Sequence, residues 1–315
     1  MTFQKENIVI IIIMCFLLTL RSFMVDYLKN MQKNNNEFID YNMYNPFLLK
    51  GMEAALYRIV KAINMREKIV IYGFYDVDSI AAISLLMLVL KFLNADVEYF
   101  IPSKRSESRD LNESDITSYI KYLGPGLIIT LGCGMNSLRE IEMCKCMGID
   151  VIITDFHKPT SHAPSTIVIN PKQKGCNYPF KGLCASGIAF KLAQAISSYY
   201  KMKSINKYMD LVMIGTISTK NKLESENKII AREGIKQLNC TYNYGICALL
   251  KTHNIKIINE EAVSKLALTV MPTINPVGRM DNAKIVVELF ITNDSNRALQ
   301  ISKYLDKELK NSLIL

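Results

Sequence analysis

The feature that most constrains this chain is a succession of short apolar runs between residues 68 and 169, each separated from the next by a helical or turn-forming stretch. Lys68 to Gly73 (KIVIYG), Val97 to Ile101, Leu127 to Leu131, Asp150 to Thr154 and Thr166 to Ile169 are four to six residues long and rich in Ile, Val and Leu. Such runs are strands rather than helices on grounds of length and β-branching. Between them, Ile80 to Leu93, Glu113 to Tyr122 and Asn136 to Met147 have the length and pattern of helices. Nearly continuous apolar strands alternating with helices predict βαβ units around a mostly parallel, doubly wound α/β sheet buried on both faces. Beyond Leu183 the strand signal fades and helical periodicity continues to the end. The expected organisation is an apolar helix and Asn-rich linker over 1–44, an α/β domain over 45–200, and a helical subdomain with a connecting helix over 201–315.

Composition agrees with a packed core: 50% of the 315 residues are hydrophobic and 21% charged, which excludes a disordered chain. Eight cysteines with no CxxC pair, and only three histidines, exclude a disulfide scaffold and a zinc ribbon. The net charge of +9 favours a polyanionic partner, although no block of five or six basic residues occurs. Ile8 to Leu20 is a thirteen-residue apolar run bounded by Lys5 and Arg21, and Phe23, Met24 and Val25 extend it. A membrane helix needs about 20 such residues. Two readings stand open: a docked helix of a cytoplasmic protein, and a membrane anchor over residues 8–25.

In open parallel sheets, ligands bind beyond the carboxyl ends of the strands. Those ends here carry Asp76-Val77-Asp78-Ser79, Gly132-Cys133-Gly134 and Asp155-Phe156-His157-Lys158. Carboxylates with an imidazole suit a hard divalent cation. The competing reading makes Asp78-Ser79 a cap for the helix that follows. Gly132, Cys133 and Gly134 could present backbone amides to a phosphate, or merely form a tight turn. Tyr99, Tyr178 and Phe180 are candidate base-stacking groups, with core packing the alternative.

The segments Asn45 to Met52, Ile71 to Asp78, Asp155 to His157, Asn170-Pro171-Lys172, Tyr178 to Lys181 and Asn275 to Asp281 occur in an order that resembles the RecJ-type single-strand-specific exonucleases of the DHH phosphoesterase superfamily. The resemblance runs from Asn45 to the C-terminus. It implies an α/β fold, Mn²⁺ or Mg²⁺ as cofactor, and hydrolysis of single-stranded DNA or short oligonucleotides by two metal ions. It also implies a setting in DNA recombination and repair, with a replication or repair protein as a further partner. By the same resemblance Asp76 and Asp78 are metal ligands, Asp155 and His157 belong to the catalytic motif, and His157, Lys158 and Arg279 face the substrate phosphate.

The sequence departs from that family at four positions. Ligands expected by the resemblance fall on Phe74, Gly132, Phe156 and Thr219. Phenylalanine cannot ligate a cation and excludes the water a metal site holds. A full chain of the resembling kind also continues into a second catalytic lobe with a Gly-Gly-His motif and an OB-type domain. This sequence stops at Leu315 and contains no Gly-Gly-His. The expectation is therefore a catalytically degenerate protein that acts as a nucleic-acid or protein-binding scaffold. An active exonuclease or oligonucleotide phosphodiesterase, with Cys133 or Asp155 replacing lost ligands, is the alternative. A membrane-attached regulator related to cyclic-dinucleotide phosphodiesterases is a third reading, supported only by the apolar start.

Overall fold

The structure is a computed structural model that describes Thr19 and residues 38–39, 43–102, 110–159, 164–203, 205–272 and 282–312. The apolar run over residues 8–25, Thr19 aside, and Arg279 with its flanking segment lie outside the described residues. Among the described residues, no helix is long and apolar enough to cross a membrane.

The strands predicted from β-branched runs form one five-stranded parallel sheet: β3 (Ile69–Gly73), β4 (Val97–Phe100), β5 (Leu127–Leu131), β6 (Asp150–Thr154) and β7 (Ile167–Ile169), in the order β4-β3-β5-β6-β7. A short antiparallel pair, β1 (Phe38–Ile39) and β2 (Met43–Tyr44), precedes it. Side chains alternate between the faces because the strand period is two. Ile69, Ile71, Leu127, Ile129 and Ile152 enter one apolar cluster, whereas Val70, Tyr72, Ile128, Val151 and Ile153 enter the other. The first cluster is covered by α1 (Met52–Asn64), α2 (Val77–Phe92) and α5 (Ala185–Tyr199), and the second by α3 (Glu113–Ser118) and α4 (Leu138–Cys146). Burial on both faces explains why the strands read as unbroken apolar runs.

Helix α2 is apolar on every side, the pattern of a helix with no solvent face. It packs against the sheet, α5, α6 (Met209–Ser218) and α10 (Asn282–Ile291). The remaining helices, α7 (Ser225–Asn239), α8 (Tyr244–Thr252), α9 (Glu260–Thr269) and α11 (Ser295–Ser312), extend the same cluster. The segment expected as one helix over 113–122 is instead α3 followed by a 3₁₀ turn at Ile120–Leu123, which ends at Gly124 in a left-handed conformation (φ 64°).

The chain leaves β3 toward β4 on one side and returns to β5 on the other. Loops after β3 and β5 therefore diverge at a switch point, and the sheet opens a crevice there.

Candidate functional site at the carboxyl rim of the sheet

Asp76 has extended backbone and its carboxylate accepts the Ser79 amide at 2.7 Å, which makes Asp76 the N-cap of α2. The reading that Asp78-Ser79 caps this helix is thereby corrected. Asp78 lies inside the first turn, 4% exposed, and turns toward α5 instead. Its two carboxylate oxygens accept the Ala185 amide at 2.7 Å and the Ser186 amide at 2.9 Å. The N-terminus of α5 has no cap from its own Cys184, so a residue over a hundred positions earlier supplies one. Burial, reinforced by the neighbouring Asp76 charge, pushes the Asp78 carboxyl up to about 6, against the opposing pull of the Ser186 hydrogen bonds.

Asp155, at the end of β6, is 1% exposed and equally engaged. One oxygen accepts the Phe156 and His157 amides at 2.7 and 3.0 Å, and the other accepts the Met135 amide at 3.2 Å. The first oxygen also lies 2.7 Å from His157 Nδ1. A carboxylate only accepts, so Nδ1 carries the proton of this contact. The His157 ring stacks on Phe156 with centroids 4.3 Å apart.

The glycine turn after β5 does not present open amides to a phosphate. Gly132 donates to Thr154 O at 2.8 Å, Gly134 to Asp110 Oδ1 at 3.0 Å and Met135 to Asp155. Internal carboxylates occupy the place an anion would take. Gly132 itself has φ 75°, and a Cβ there would lie 3.0 Å from Ala185 Cβ and 3.5 Å from the Phe156 ring. Cys133, offered as a replacement ligand, is fully buried, and burial drives its thiol well up.

The rim encloses an open cleft of about 540 Å³ whose walls include Asp76, Asp78, Phe156, His157, Thr219 and Met271. Five of the residues singled out from sequence therefore meet in one cleft. Phe74 packs apart from them, edge-on to Tyr72 at 6.5 Å in the cluster beneath α3 and α4. Thr219 bonds back to Thr216 O at 2.8 Å as α6 ends. Lys158 is exposed beside the cleft's His157. Tyr178 is no stacking platform: it is fully buried and donates to Glu226 at 2.6 Å. Tyr99 and Phe180 are partly buried against the core.

A two-ion site needs several carboxylate or imidazole groups converging on shared space. Among the described residues, no group of three His, Cys, Asp or Glu side chains is arranged to hold a metal. Asp76 and Asp78 are next to Phe156, and Asp78 and Asp155 are committed to backbone amides. The donor set does not fit a paired Mn²⁺ or Mg²⁺ clamp.

Two residues that organise the rim had no reading in the sequence, Asp110 and Ser186. Asp110 follows a serine- and arginine-containing stretch that gives no hint of the turn it binds.

Residues 68–216 match the model of the DHH family, N-terminal domain. The chain is 38% identical over 271 residues to the single-stranded-DNA-specific exonuclease RecJ of Bacillus subtilis (strain 168), covering 85% of this chain and 34% of that protein. To its Haemophilus influenzae counterpart it is 30% identical over 278 residues, covering 84% and 48%. The chain thus spans about a third to a half of the length of these curated relatives. In three dimensions it is similar to a crystal structure of exonuclease RecJ bound to manganese, with TM-score 0.75 and 23% identity over 84% of this chain and 66% of that one. RecJ from Thermus thermophilus in complex with Mn²⁺ gives 0.71 and 23%, over 84% and 38%. Fold, motif order and relatives agree: the chain is a RecJ-like protein of the DHH family.

Proposed function

We propose that this RecJ-like chain binds single-stranded nucleic acid at the carboxyl rim without hydrolysing it, serving as a scaffold in DNA repair or recombination. The observation that carries the reading is the engagement of the rim carboxylates. Asp78 caps α5 with both oxygens, and Asp155 holds the Phe156, His157 and Met135 amides. Phosphoester hydrolysis is among the slowest uncatalysed reactions, and enzymes lower its barrier by some 20 kcal/mol. A cleft walled by Phe156, with the Asp78 oxygens engaged by the α5 amides, supplies little of that. What the cleft offers is recognition. Asp155 holds the His157 ring through Nδ1, so its Nε2 donates to a phosphate oxygen only when the ring is an imidazolium; Lys158 is a donor beside it, and the +9 charge supplies long-range attraction. The relatives' names specify single-stranded DNA, which makes it the first ligand to test.

A second reading, an active metal-dependent exonuclease or oligonucleotide phosphodiesterase, draws on the 38% identity to a protein named as one and on the retained Asp76, Asp78 and His157. Incubation with 5′-phosphorylated single-stranded DNA and Mn²⁺ separates the two. Salt-sensitive retention of the strand with no nucleotide release above that of an Asp76→Ala/Asp78→Ala variant supports the scaffold. Mn²⁺-dependent release that this variant abolishes establishes the enzyme.

A further inference from the structure

The rings named from sequence as stacking groups are packed on the core, but a different set is turned outward at the far end of α2. Phe92, Tyr242 and Tyr244 are 62%, 85% and 45% exposed. Phe92 ends α2, and the two tyrosines lie at the turn into α8. Lys207 stands among them: its ammonium is 4.8 Å from the Tyr208 ring centroid and 5.6 Å from that of Phe92, within cation–π range of both. Lys207, Tyr208, Tyr242 and Tyr244 line one open pocket of about 180 Å³. Leu88, one turn before Phe92 on α2, lines it too, which sets Phe92 at its border. That volume admits one aromatic ring, since a cavity of about 150 Å³ holds a benzene. With 16 residues in α2, its two ends are roughly 24 Å apart, so this pocket is well removed from the rim.

The turn that carries the two tyrosines is fastened at alternate residues. Thr241 donates its hydroxyl to the buried Asp210 at 2.6 Å and accepts the Asn243 amide at 3.1 Å. The Asn243 side chain caps α8 by accepting the Ile246 amide at 3.1 Å, and it donates to Phe290 O at 2.7 Å. Asp210 also accepts the Leu211 amide at 2.7 Å, so both its oxygens serve the scaffold and not the pocket. With residues 241 and 243 tied inward, the intervening Tyr242 and the following Tyr244 are presented outward. The backbone under these exposed rings is thus ordered before any ligand arrives, which lowers the entropic cost of binding on them.

Two classes of macromolecule dock on exposed rings, and Lys207 decides between them. Protein interfaces gather tyrosine and phenylalanine but are depleted of lysine. Here a lysine sits between the rings, and among the described residues it makes no ion pair. Rings around an available cation are the arrangement that holds a single strand, with bases on the ring faces and phosphate on the ammonium. We propose that Phe92, Lys207, Tyr208, Tyr242 and Tyr244 form a second contact surface for single-stranded nucleic acid, with one base stacked at the pocket and a backbone phosphate on Lys207. Every base has a face to stack, so the surface is tolerant of sequence. It is separate from the rim and does not depend on the function proposed there.

The test uses the whole protein and a deoxythymidine oligomer of about 15 nucleotides, long enough to cover one strand-binding site. Affinity is followed by fluorescence anisotropy, and contacts are mapped by photo-crosslinking a 5-iodouracil-substituted oligomer. Crosslinks are expected on the segment containing Tyr242 and Tyr244, and they are expected to persist in His157→Ala/Lys158→Ala at the rim. Tyr242→Ala/Tyr244→Ala should weaken binding roughly tenfold or more, whereas Tyr242→Phe/Tyr244→Phe, which keeps the rings, should bind as the parent does. Lys207→Gln should flatten the slope of log affinity against log salt by about 0.7, the share of one phosphate contact. That exposed substitution keeps the test decisive if the alanine pair does not fold. Absence of crosslinks at the turn, affinity untouched by the alanine pair and by Lys207→Gln, or equal losses in the alanine and phenylalanine pairs overturns the proposal. Loss confined to the rim variant overturns this surface and leaves the rim reading standing; loss confined to the tyrosine and lysine variants does the reverse.

Discussion

Two groups of buried acids in this molecule are satisfied in opposite ways. At the rim, Asp78 and Asp155 are met by backbone amides and an imidazole, and Asp78 lies next to another carboxylate. Beneath β2, Glu226 is met by a full countercharge: Lys191 Nζ at 2.7 Å, with the Tyr178 hydroxyl at 2.6 Å and the Tyr44 amide at 2.9 Å. Lys191 completes the network by donating to Tyr44 O at 2.7 Å. Both partners of that pair are essentially without solvent exposure. The contrast teaches that acidity alone does not mark a cation site. Glu226 has its cation inside the chain, whereas the rim acids have become caps for helices and turns.

The comparison is broken most forcefully at the ion pair. Lys191→Met leaves Glu226 buried without its countercharge, and urea unfolding should show a loss of about 3 to 5 kcal/mol. Lys191→Met/Glu226→Gln should recover part of that loss, because both charges are then gone. A loss below about 1 kcal/mol for the single variant would mean that the pair is not desolvated.

At the rim, restoring an acid where the resemblance places one is the next largest change. Gly132→Asp forces a side chain onto φ 75° and a Cβ to within 3.0 Å of Ala185. The expected cost is about 2 kcal/mol by urea unfolding.

Asp78→Ala removes the cap of α5, and its effect depends on pH. The folded carboxyl, at about 6, is raised above its ordinary 3.8. Its favourable contribution is therefore fully present below about pH 4 and is lost as pH rises through 6. Denaturation should show a loss of about 2 kcal/mol at pH 5 and about 1 kcal/mol at pH 8. A loss that grows with pH would mean that Asp78 is stabilised as an anion by a neighbouring cation. Asp76→Ala removes the α2 cap and also the charge beside Asp78, so it should cost about 1 kcal/mol at pH 5 and less at pH 8, measured in the same way.

Most of the sheet was legible because burial on both faces writes itself into β-branched runs. Strands predicted at 68–73, 97–101, 127–131, 150–154 and 166–169 differ from the observed ones by no more than a residue at an end. Convergence of Asp76, Asp78, Phe156 and His157 followed from the rule for carboxyl ends of parallel strands, whereas Thr219, at the end of a helix, was placed there only by the family resemblance. Illegible were partnerships across long separations. Nothing near Asp78 announces that Ala185 and Ser186 will share its oxygens, and nothing near Tyr178 announces that Glu226 will meet its hydroxyl. Lys191 was the overlooked signal. A lone lysine inside Ala-Phe-Lys-Leu-Ala, in a helix with no other charged residue, foretells a buried acid to pair with it.

The central claim is that the rim acids hold backbone rather than metal, and counting bound Mn²⁺ tests it most directly. Purified protein is titrated with Mn²⁺ at neutral pH, with free ion followed by its paramagnetic resonance signal, beside the Asp76→Ala/Asp78→Ala variant. The account predicts no site tighter than about 1 mM and the same titration for both proteins, since one partly hydrated carboxylate holds such an ion weakly. Two Mn²⁺ ions bound per chain at micromolar concentration, and lost together in the variant, would contradict it.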